Sequence, residues 1–251
     1  MSPLQSPGGP SVTVSIVSHR QWALVRPLLE QLGRLCRASV ARIVVTINLP
    51  EPIEDLDVGI PLEIVHNPAP KGFGANHNAA FARCTTPWYL VLNPDIRLTS
   101  DVVGAMVARA QADTGLIAPR IQEPGKPEPE PFRGPLTPME LVRRRLAGYQ
   151  PPSHPAWVAG MFMLVRREAF ARVEGFDERY FMYCEDFDIC ARLQLAGWKI
   201  LIARDLSVLH DARRDSHASV RALAWHVSSL LKLWMSPAYR QFVATHEAPR
   251  A

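Results

Sequence analysis

Residues 11–48 read SVTVSIVSHRQWALVRPLLEQLGRLCRASVARIVVTIN. The first nine, SVTVSIVSH, form a β-branched run long enough for a buried strand, and ARIVVTIN at 41–48 is a second such run. Between them Trp22, Val25, Leu28, Leu29 and Leu32 recur at helical spacing, which predicts a helix over 21–35. Pro27 lies early in it, where a missing N–H does least harm. A strand, a helix and a strand in this order make a right-handed crossover with the two strands parallel.

The same alternation continues outward. PLEIVHN (61–67) and WYLVLNPD (88–95) read as further strands, the latter halted by Pro94. GFGANHNAAFARC (72–84) is a glycine-bearing loop opening a short helix, and SDVVGAMVARAQA (100–112) is a helix expected to be capped by Ser100, with Asp101 in its first turn. The fold class is therefore α/β, a mostly parallel, Rossmann-like sheet flanked by helices. In such sheets ligands sit beyond the carboxyl ends of the strands. That rule selects Ser18 and His19, Asn48, and Asn93-Pro94-Asp95.

After Ile117 the texture changes. Ten of the 23 prolines fall between Pro119 and Pro155, so 119–156 is expected to be a surface excursion or lid. It holds one helix candidate, PMELVRRRLAGY (138–149), whose Met139, Val142 and Leu146 can share a face beside Arg143, Arg144 and Arg145. This is either a solvated basic cover for the core or a contact for an anionic membrane surface. Order returns with WVAGMFMLVRREAF (157–170), a strand running into a helix. A helix over 186–196 follows, ended by Gly197, then two strand-like runs, WKILIA and LSVLH, finishing on His210. SVRALAWHVSSLLKLWM (219–235) is an amphipathic helix with Leu223, Val227, Leu230, Leu231 and Trp234 near one face, stopped by Pro237.

The bulk numbers fit this picture. A chain of 251 residues, 47% hydrophobic, can bury one sizeable core. A formal net charge of +4 suits an anionic substrate or membrane surface without calling for nucleic acid. Cys36, Cys84, Cys184 and Cys190 show neither paired nor metal-ligand spacing and read as reduced core thiols of a cytoplasmic protein. The N-terminus lacks the charged-then-apolar pattern of a signal peptide, and no apolar run is long enough to span a bilayer.

Four clusters could carry chemistry. Asp95, just past a strand end, can hold a divalent cation if a diphosphate supplies further oxygens; Asn-Pro-Asp is also a good turn. Lys71 and the N–H groups after Gly72 can hold phosphate at a helix start, with Asn76 and Asn78 either capping that helix or touching a nucleotide. His210 can ligate a metal or phosphate, and Arg213 and Arg214 can pair with anionic oxygens. Finally, FMYCEDFDICARL (181–193) places Glu185, Asp186 and Asp188 within four positions. A helix start stabilises one carboxylate. Three repel one another and lift a pKa toward what a general base needs.

In order along the chain, VSIVSHR, NPAPKGFGANHNAAF, YLVLNPDI, WVAGMFMLVRREAFARVEGFDERYFMYCEDFDICARLQLAGWKI and SVLHDARRDS resemble the family 2 glycosyltransferases of GT-A fold, in their rhamnosyltransferase-like branch. The resemblance implies an inverting transfer of a sugar, L-rhamnose from dTDP-rhamnose by likeness, from a nucleotide-sugar. The acceptor is a hydroxyl of a glycan or polyprenyl-diphosphate-linked saccharide, in cell-surface polysaccharide synthesis. It implies Asp186 as base with Glu185 second, Asp95 and His210 on Mg²⁺ or Mn²⁺, and Ser18, His19, Asn48, Lys71, Gly72, Asn78, Asn93 and Gly160 around the nucleotide-sugar. The expected layout is a flexible tail (1–10), a single GT-A domain (11–212) and a C-terminal helical extension (213–251). Within the domain lie a nucleotide-sugar half (11–118), the Pro-rich excursion (119–156) and an acceptor half (157–212). The basic and C-terminal helices could seat the enzyme peripherally on the inner membrane face. One departure is that the second strand ends in Thr-Ile-Asn, where the family usually has an acidic pair that reads the base. The rival readings are a nucleotide-sugar-binding scaffold without activity and a sugar-nucleotide pyrophosphorylase, whose Gly-rich first loop VSHRQWALV lacks.

Overall fold

A computed structural model describes residues 9–211 and 220–247. The crossover forms as expected. Strand β1 (Val12–His19) leads through α1 (Trp22–Leu35) to β2 (Val40–Leu49), which lies parallel to β1. Then follow β3 (Leu62–His66), α2 (Phe73–Phe81), β4 (Trp88–Leu92), β5 (Ile96–Arg97), α3 (Val102–Arg109) and β6 (Thr114–Gln122). After them come α4 (Pro138–Arg143), β7 (Phe162–Arg166), α5 (Arg167–Arg172), α6 (Glu185–Leu195), β8 (Lys199–His210), α7 (Val220–Met235) and α8 (Pro237–Glu247). The strands form one eight-stranded sheet, ordered β3-β2-β1-β4-β7-β6-β8-β5. β7 runs antiparallel between β4 and β6, and β5 antiparallel to β8; the other pairings are parallel.

Both faces of the sheet are covered, so its central strands are apolar on both sides. Along β4, Trp88, Leu90 and Leu92 join the layer under α1 and α3. Tyr89 and Val91 join the opposite layer with α5, α6, α7 and α8. The period-two alternation of a strand makes this split. The four cysteines are free and buried.

Local differences from the sequence reading have simple causes. Asp101, not Ser100, caps α3, its Oδ1 accepting from the Gly104 N–H at 2.8 Å; a carboxylate outcompetes a hydroxyl at a positive helix end. The two strand-like runs near 198–210 are one strand, β8, interrupted where Pro119 and Arg120 of β6 pair with Ala203 and Ser207. Arg204, Asp205 and Leu206 bulge between them. Pro237 does not merely stop α7 but opens α8 at its first position, where proline costs no hydrogen bond. The apolar residues of α7 divide between two faces. Leu230, Leu233 and Trp234 pack inward, whereas Leu223, Val227 and Leu231 are exposed, together with Met235.

The C-terminal helices belong to the second core layer. Phe242 is 1% exposed, and its ring meets that of Phe187 on α6 edge-on at 5.5 Å. Phe242→Ala is expected to cost about 3–5 kcal/mol, the range for deleting a buried ring. Urea denaturation followed by both far-UV circular dichroism and tryptophan fluorescence checks this. The two probes should shift together, since α8 is part of the same cooperative unit.

Candidate active site

The carboxyl end of the sheet gathers the chemistry. At β4, Asn93 donates its N–H to Met161 O at 2.9 Å, tying the Asn-Pro-Asp turn to the residue after Gly160. Pairing of Ile96 with His210 sets Asp95 beside the last residue of β8. Asp95 Oδ2 lies 3.2 Å from His210 Nε2, while Asp95 Oδ1 and His210 Nδ1 are buried without a hydrogen-bond partner. The Asp95 contact raises the His210 pKa against the opposing effect of burial.

α6 opens on Tyr183 and Cys184, both in left-handed conformation with φ of 71° and 69°. For side chains of this size that is strained backbone, and it turns the chain sharply into the acid-bearing first turn. Asp186 is half-buried, its carboxylate accepting from Gly160 N at 3.2 Å and from Phe187 N at 2.8 Å. Burial raises its pKa, opposed by the Arg133 guanidinium and these backbone donors. Glu185 is 5% exposed, and its Oε2 has no partner. Burial lifts its pKa well above the ordinary carboxylate range, and the adjacent Asp186 charge adds to this. Asp188 caps nothing: it is buried and pairs with Arg192 one turn on at 2.7 Å. Of the three acids, only Asp186 combines a raised pKa with partial exposure to solvent.

Gly160 is required by this geometry. A Cβ there would come within 3.0 Å of the Phe73 ring and 3.7 Å of Asp186 Cβ. Gly72 is likewise pressed against the Phe181 backbone, where a Cβ would meet Phe181 O at 2.6 Å. The Phe73 N–H donates to that same oxygen at 2.9 Å. α2 and the loop before α6 are thereby locked together.

On the β1–β2 side the predicted residues have different duties. The Asn48 amide is fully engaged with protein: its Nδ2 meets Lys71 O and His19 Nδ1, and its Oδ1 accepts from Lys71 N and Asn67 Nδ2. Asn76 continues the network by accepting from Asn67 and donating to the carbonyls of Lys71 and Gly72. Asn48 thus shapes the Lys71 loop through its backbone, while the Lys71 side chain stays exposed. Asn78 bridges to Phe176 and Glu178, pinning α2 to the loop after α5. Ser18 is buried and donates to Glu51 Oε1, and Glu51 Oε2 accepts from Trp22 N at the start of α1. His19 is exposed at the strand end. Arg213 and Arg214 lie outside the described residues.

Reading the sequence missed Glu51 and Arg133. Glu51 stands three residues past Asn48, and its place in LPEP at a strand end was the available signal. Arg133 lies in the Pro-rich excursion, and nothing local points it at Asp186. Among the described residues no group of three or more His, Cys, Asp or Glu gathers to hold a metal. The protein side of any metal site is therefore Asp95 with His210. Their buried, unpartnered atoms fit a cation whose other oxygens come from a diphosphate.

Residues 44–173, just over half of the chain, match the family model described as Glycosyl transferase family 2. A curated relative, Rhamnosyltransferase WbbL of Escherichia coli (strain K12), is 46% identical over 77 residues, covering 30% of this chain and 29% of its own. The N-acetylglucosaminyl-diphospho-decaprenol L-rhamnosyltransferase of Mycobacterium tuberculosis (strain ATCC 25618 / H37Rv) is 32% identical over 162 residues, 57% of this chain and 52% of its own. The chain spans about half or less of the length of these two relatives. Among solved structures, mannosyltransferase PcManGT from Pyrobaculum calidifontis, in complex with GDP-Man and Mn²⁺, superposes with a TM-score of 0.59 at 14% identity. It covers 99% of this chain and 80% of its own, and it shares the GT-A fold.

A carboxyl group whose folded pKa lies above its unfolded one favours the folded state below the unfolded value. That advantage is lost as pH rises through the folded value. Burying Glu185 therefore weakens the fold at neutral pH, where the unfolded chain readily ionises it. Glu185→Gln is expected to melt higher than the parent at pH 7–8, by ~2–4 °C for each kcal/mol released. The difference should vanish toward pH ~4, the ordinary carboxylate value. Differential scanning calorimetry across that range checks it.

Proposed function

The chain belongs to glycosyl transferase family 2, and from that premise we propose that it is an inverting rhamnosyltransferase. It moves L-rhamnose from dTDP-rhamnose to a hydroxyl of a polyprenyl-diphosphate-linked saccharide, in cell-surface polysaccharide synthesis. The choice of sugar and acceptor is supported by the names of the two relatives. The observation that carries the chemistry is Asp186, a carboxylate of raised pKa fixed by the Gly160 N–H at the carboxyl end of the sheet.

Asp186 takes the proton of the acceptor hydroxyl as that oxygen bonds to the anomeric carbon. The bond from that carbon to the diphosphate breaks on the opposite face, and the electron pair leaves with the nucleoside diphosphate. A base must be close to the pH of its task and open to its substrate. Glu185 is too deeply enclosed for that role, and burial holds it toward its neutral form, leaving Asp186 as the carboxylate that works. The β1–β2 edge, with the exposed His19 and the Lys71 loop, is the nucleotide side in this reading, and Ser18 supports it from beneath through Glu51. Mg²⁺ or Mn²⁺ held by Asp95 and His210 would supply positive charge to the leaving diphosphate. A binding scaffold that had lost catalysis would have no use for a strained, desolvated acid pair at this edge, and that favours the enzyme.

Asp186→Asn should lower kcat by about 10²–10⁴-fold, the contribution of a positioned base, while leaving dTDP-rhamnose affinity unchanged. Stopped assays of transfer alongside calorimetric donor binding measure both. An unchanged kcat would remove the base assignment.

The acceptor class implies work at a membrane. Among the described residues no helix is long and apolar enough to cross one. Of the eight large hydrophobic side chains exposed among them, seven lie on or just after two helices. Leu223, Val227, Leu231 and Met235 stripe α7, and Met139, Val142 and Leu146 mark α4 and the turn following it. The helices meet where Trp234 Nε1 donates to Leu136 O at 2.9 Å, just before α4. Arg143 and Arg145 are exposed alongside, and α7 carries no acidic residue. Apolar side chains flanked by exposed cations match an anionic bilayer surface, and the carboxylate of α4, Glu140, is paired with Arg144. The double variant Val227→Asp, Leu231→Asp should lose about tenfold or more of its binding to phosphatidylglycerol vesicles in a sedimentation assay, two charges being set against an anionic surface. Vesicle binding unaffected by the change, or a dimer in sedimentation velocity that the change dissolves, would assign this face to a second copy instead.

A further inference from the structure

Three arginines gather at the Pro-rich excursion and the strands beneath it, and only Arg133 among them bears on the base. Arg120, at the end of β6, and Arg204, in the β8 bulge, place their guanidinium carbons 4.6 and 4.9 Å from the centre of the Phe132 ring. Arg133 stacks over Trp157 at 5.1 Å. The carboxylate among them is Glu130, paired with Arg133 at 2.7 Å. Arg120 forms no ion pair among the described residues, and its Nε is buried without a hydrogen-bond partner. A buried cationic donor left unsatisfied at the wall of a cleft points to a ligand that completes it.

These groups share a small cleft of about 50 Å³ whose walls include Arg120, Glu130, Phe132, Arg133, Trp157 and Met161. Its position is set by strand order. The nucleotide edge is at β1 and β2, Asp95 follows β4, and Gly160, which holds Asp186, precedes β7. The arginine cleft lies further along the same edge, over Ala118 of β6 and Ile202 of β8. Ala159 and Met161 of the cleft wall flank Gly160, whose N–H meets Asp186. The cleft therefore flanks the base on the side away from the nucleotide edge. An inverting displacement needs the attacking molecule on that side, because the bond formed and the bond broken lie on opposite faces of one carbon.

We propose that Arg120 and Arg133 form the subsite for the phosphate or diphosphate of the acceptor, a site that rests on the glycosyltransferase reading. Planar guanidiniums held on aromatic faces are preorganised forks for phosphate oxygens. A few residues beyond Arg133, the excursion reaches the exposed apolar face of α4. A lipid diphosphate would thus be held with its chain toward that face and its sugar toward Asp186. Glu130 occupies Arg133 until the ligand arrives.

The test uses the full chain with farnesyl diphosphate, farnesyl monophosphate and farnesol as probes in calorimetric binding. The diphosphate should bind and the alcohol should not. Arg120→Gln should weaken diphosphate binding about tenfold or more, as expected for a lost charge-assisted hydrogen bond. Arg120→Lys should restore part of it, and the surface variant Arg26→Ala should leave it unchanged. Glu130→Gln, which frees Arg133, should tighten binding; this keeps the proposal open to refutation even if Arg120→Gln folds poorly. In transfer assays with a prenyl-diphosphate-linked N-acetylglucosamine, Arg120→Gln should raise the acceptor KM and spare the donor KM. An octyl N-acetylglucosaminide acceptor should not feel the change. Equal binding of farnesol and farnesyl diphosphate overturns the proposal, as does a rise in donor KM instead of acceptor KM. Loss of transfer with intact diphosphate binding would count against the glycosyltransferase reading and leave the subsite standing.

Discussion

The burial of two adjacent carboxylates at the start of α6 is the constraint around which the site is arranged. Like charges in sequence at a poorly solvated helix end are unfavourable, and the helix terminus offsets only part of the cost. The protein holds them there through features that have no other evident purpose: two left-handed residues at Tyr183 and Cys184, a glycine at 160 whose N–H meets Asp186, and a guanidinium brought from the excursion. The two acids are then differentiated. Glu185, without a partner for Oε2, is driven strongly toward its neutral form. Asp186, with two backbone donors and Arg133 nearby, is pulled back toward ionisation. Environments that push neighbouring acids apart in pKa are how a site obtains one working base from two similar groups.

The strand–helix alternation was legible because it depends on local apolar periodicity. β1, α1, β2 and β4 follow directly from runs such as SVTVSIVSH and WYLVL. The antiparallel insertion of β7 was not legible, since WVAGMFMLVR has the same apolar texture whichever way it runs. Yet that insertion brings Gly160 against Asp186. The acid cluster was visible as a breach of charge spacing, and the Asp95–His210 pair as polar residues at strand ends. The use of Asn48 was not visible. An amide at a strand end looks the same whether it faces a ligand or holds a loop, and only its four protein partners decide. Arg133 was out of reach for the same reason in stronger form, because 53 residues separate it from Asp186 and its direction is set by stacking on Trp157.

The asparagine network changes how the nucleotide edge is understood. Asn48, Asn67 and Asn76 join β2, the strand-to-loop exit after β3 and α2 into one hydrogen-bonded unit. A buried network with its polar atoms satisfied is rigid. Here the rigid object is the backbone from Lys71 to Gly72, which in turn packs on Phe181, just ahead of the acid pair. The carboxyl end of β2 and the acid pair are thus ends of one braced segment. The second strand can dispense with its acidic ending because its last polar residue has structural work, and a carboxylate reappears nearby at Glu51.

α7 completes the bracing from the other side. Its inner face stacks His226 on Tyr183 at 3.6 Å, sets Trp225 on Phe181, and donates from Ser229 Oγ to Met182 O at 2.8 Å. Three successive residues before the strained entry to α6 are therefore held by one helix. The opposite face of that helix is the exposed apolar stripe. Strained backbone persists only where its surroundings over-determine it, and α7 is the main element that does so for Tyr183. One helix thus carries both the support of the loop that leads to Asp186 and the outermost apolar surface, so a substitution that unseats α7 acts on both at once.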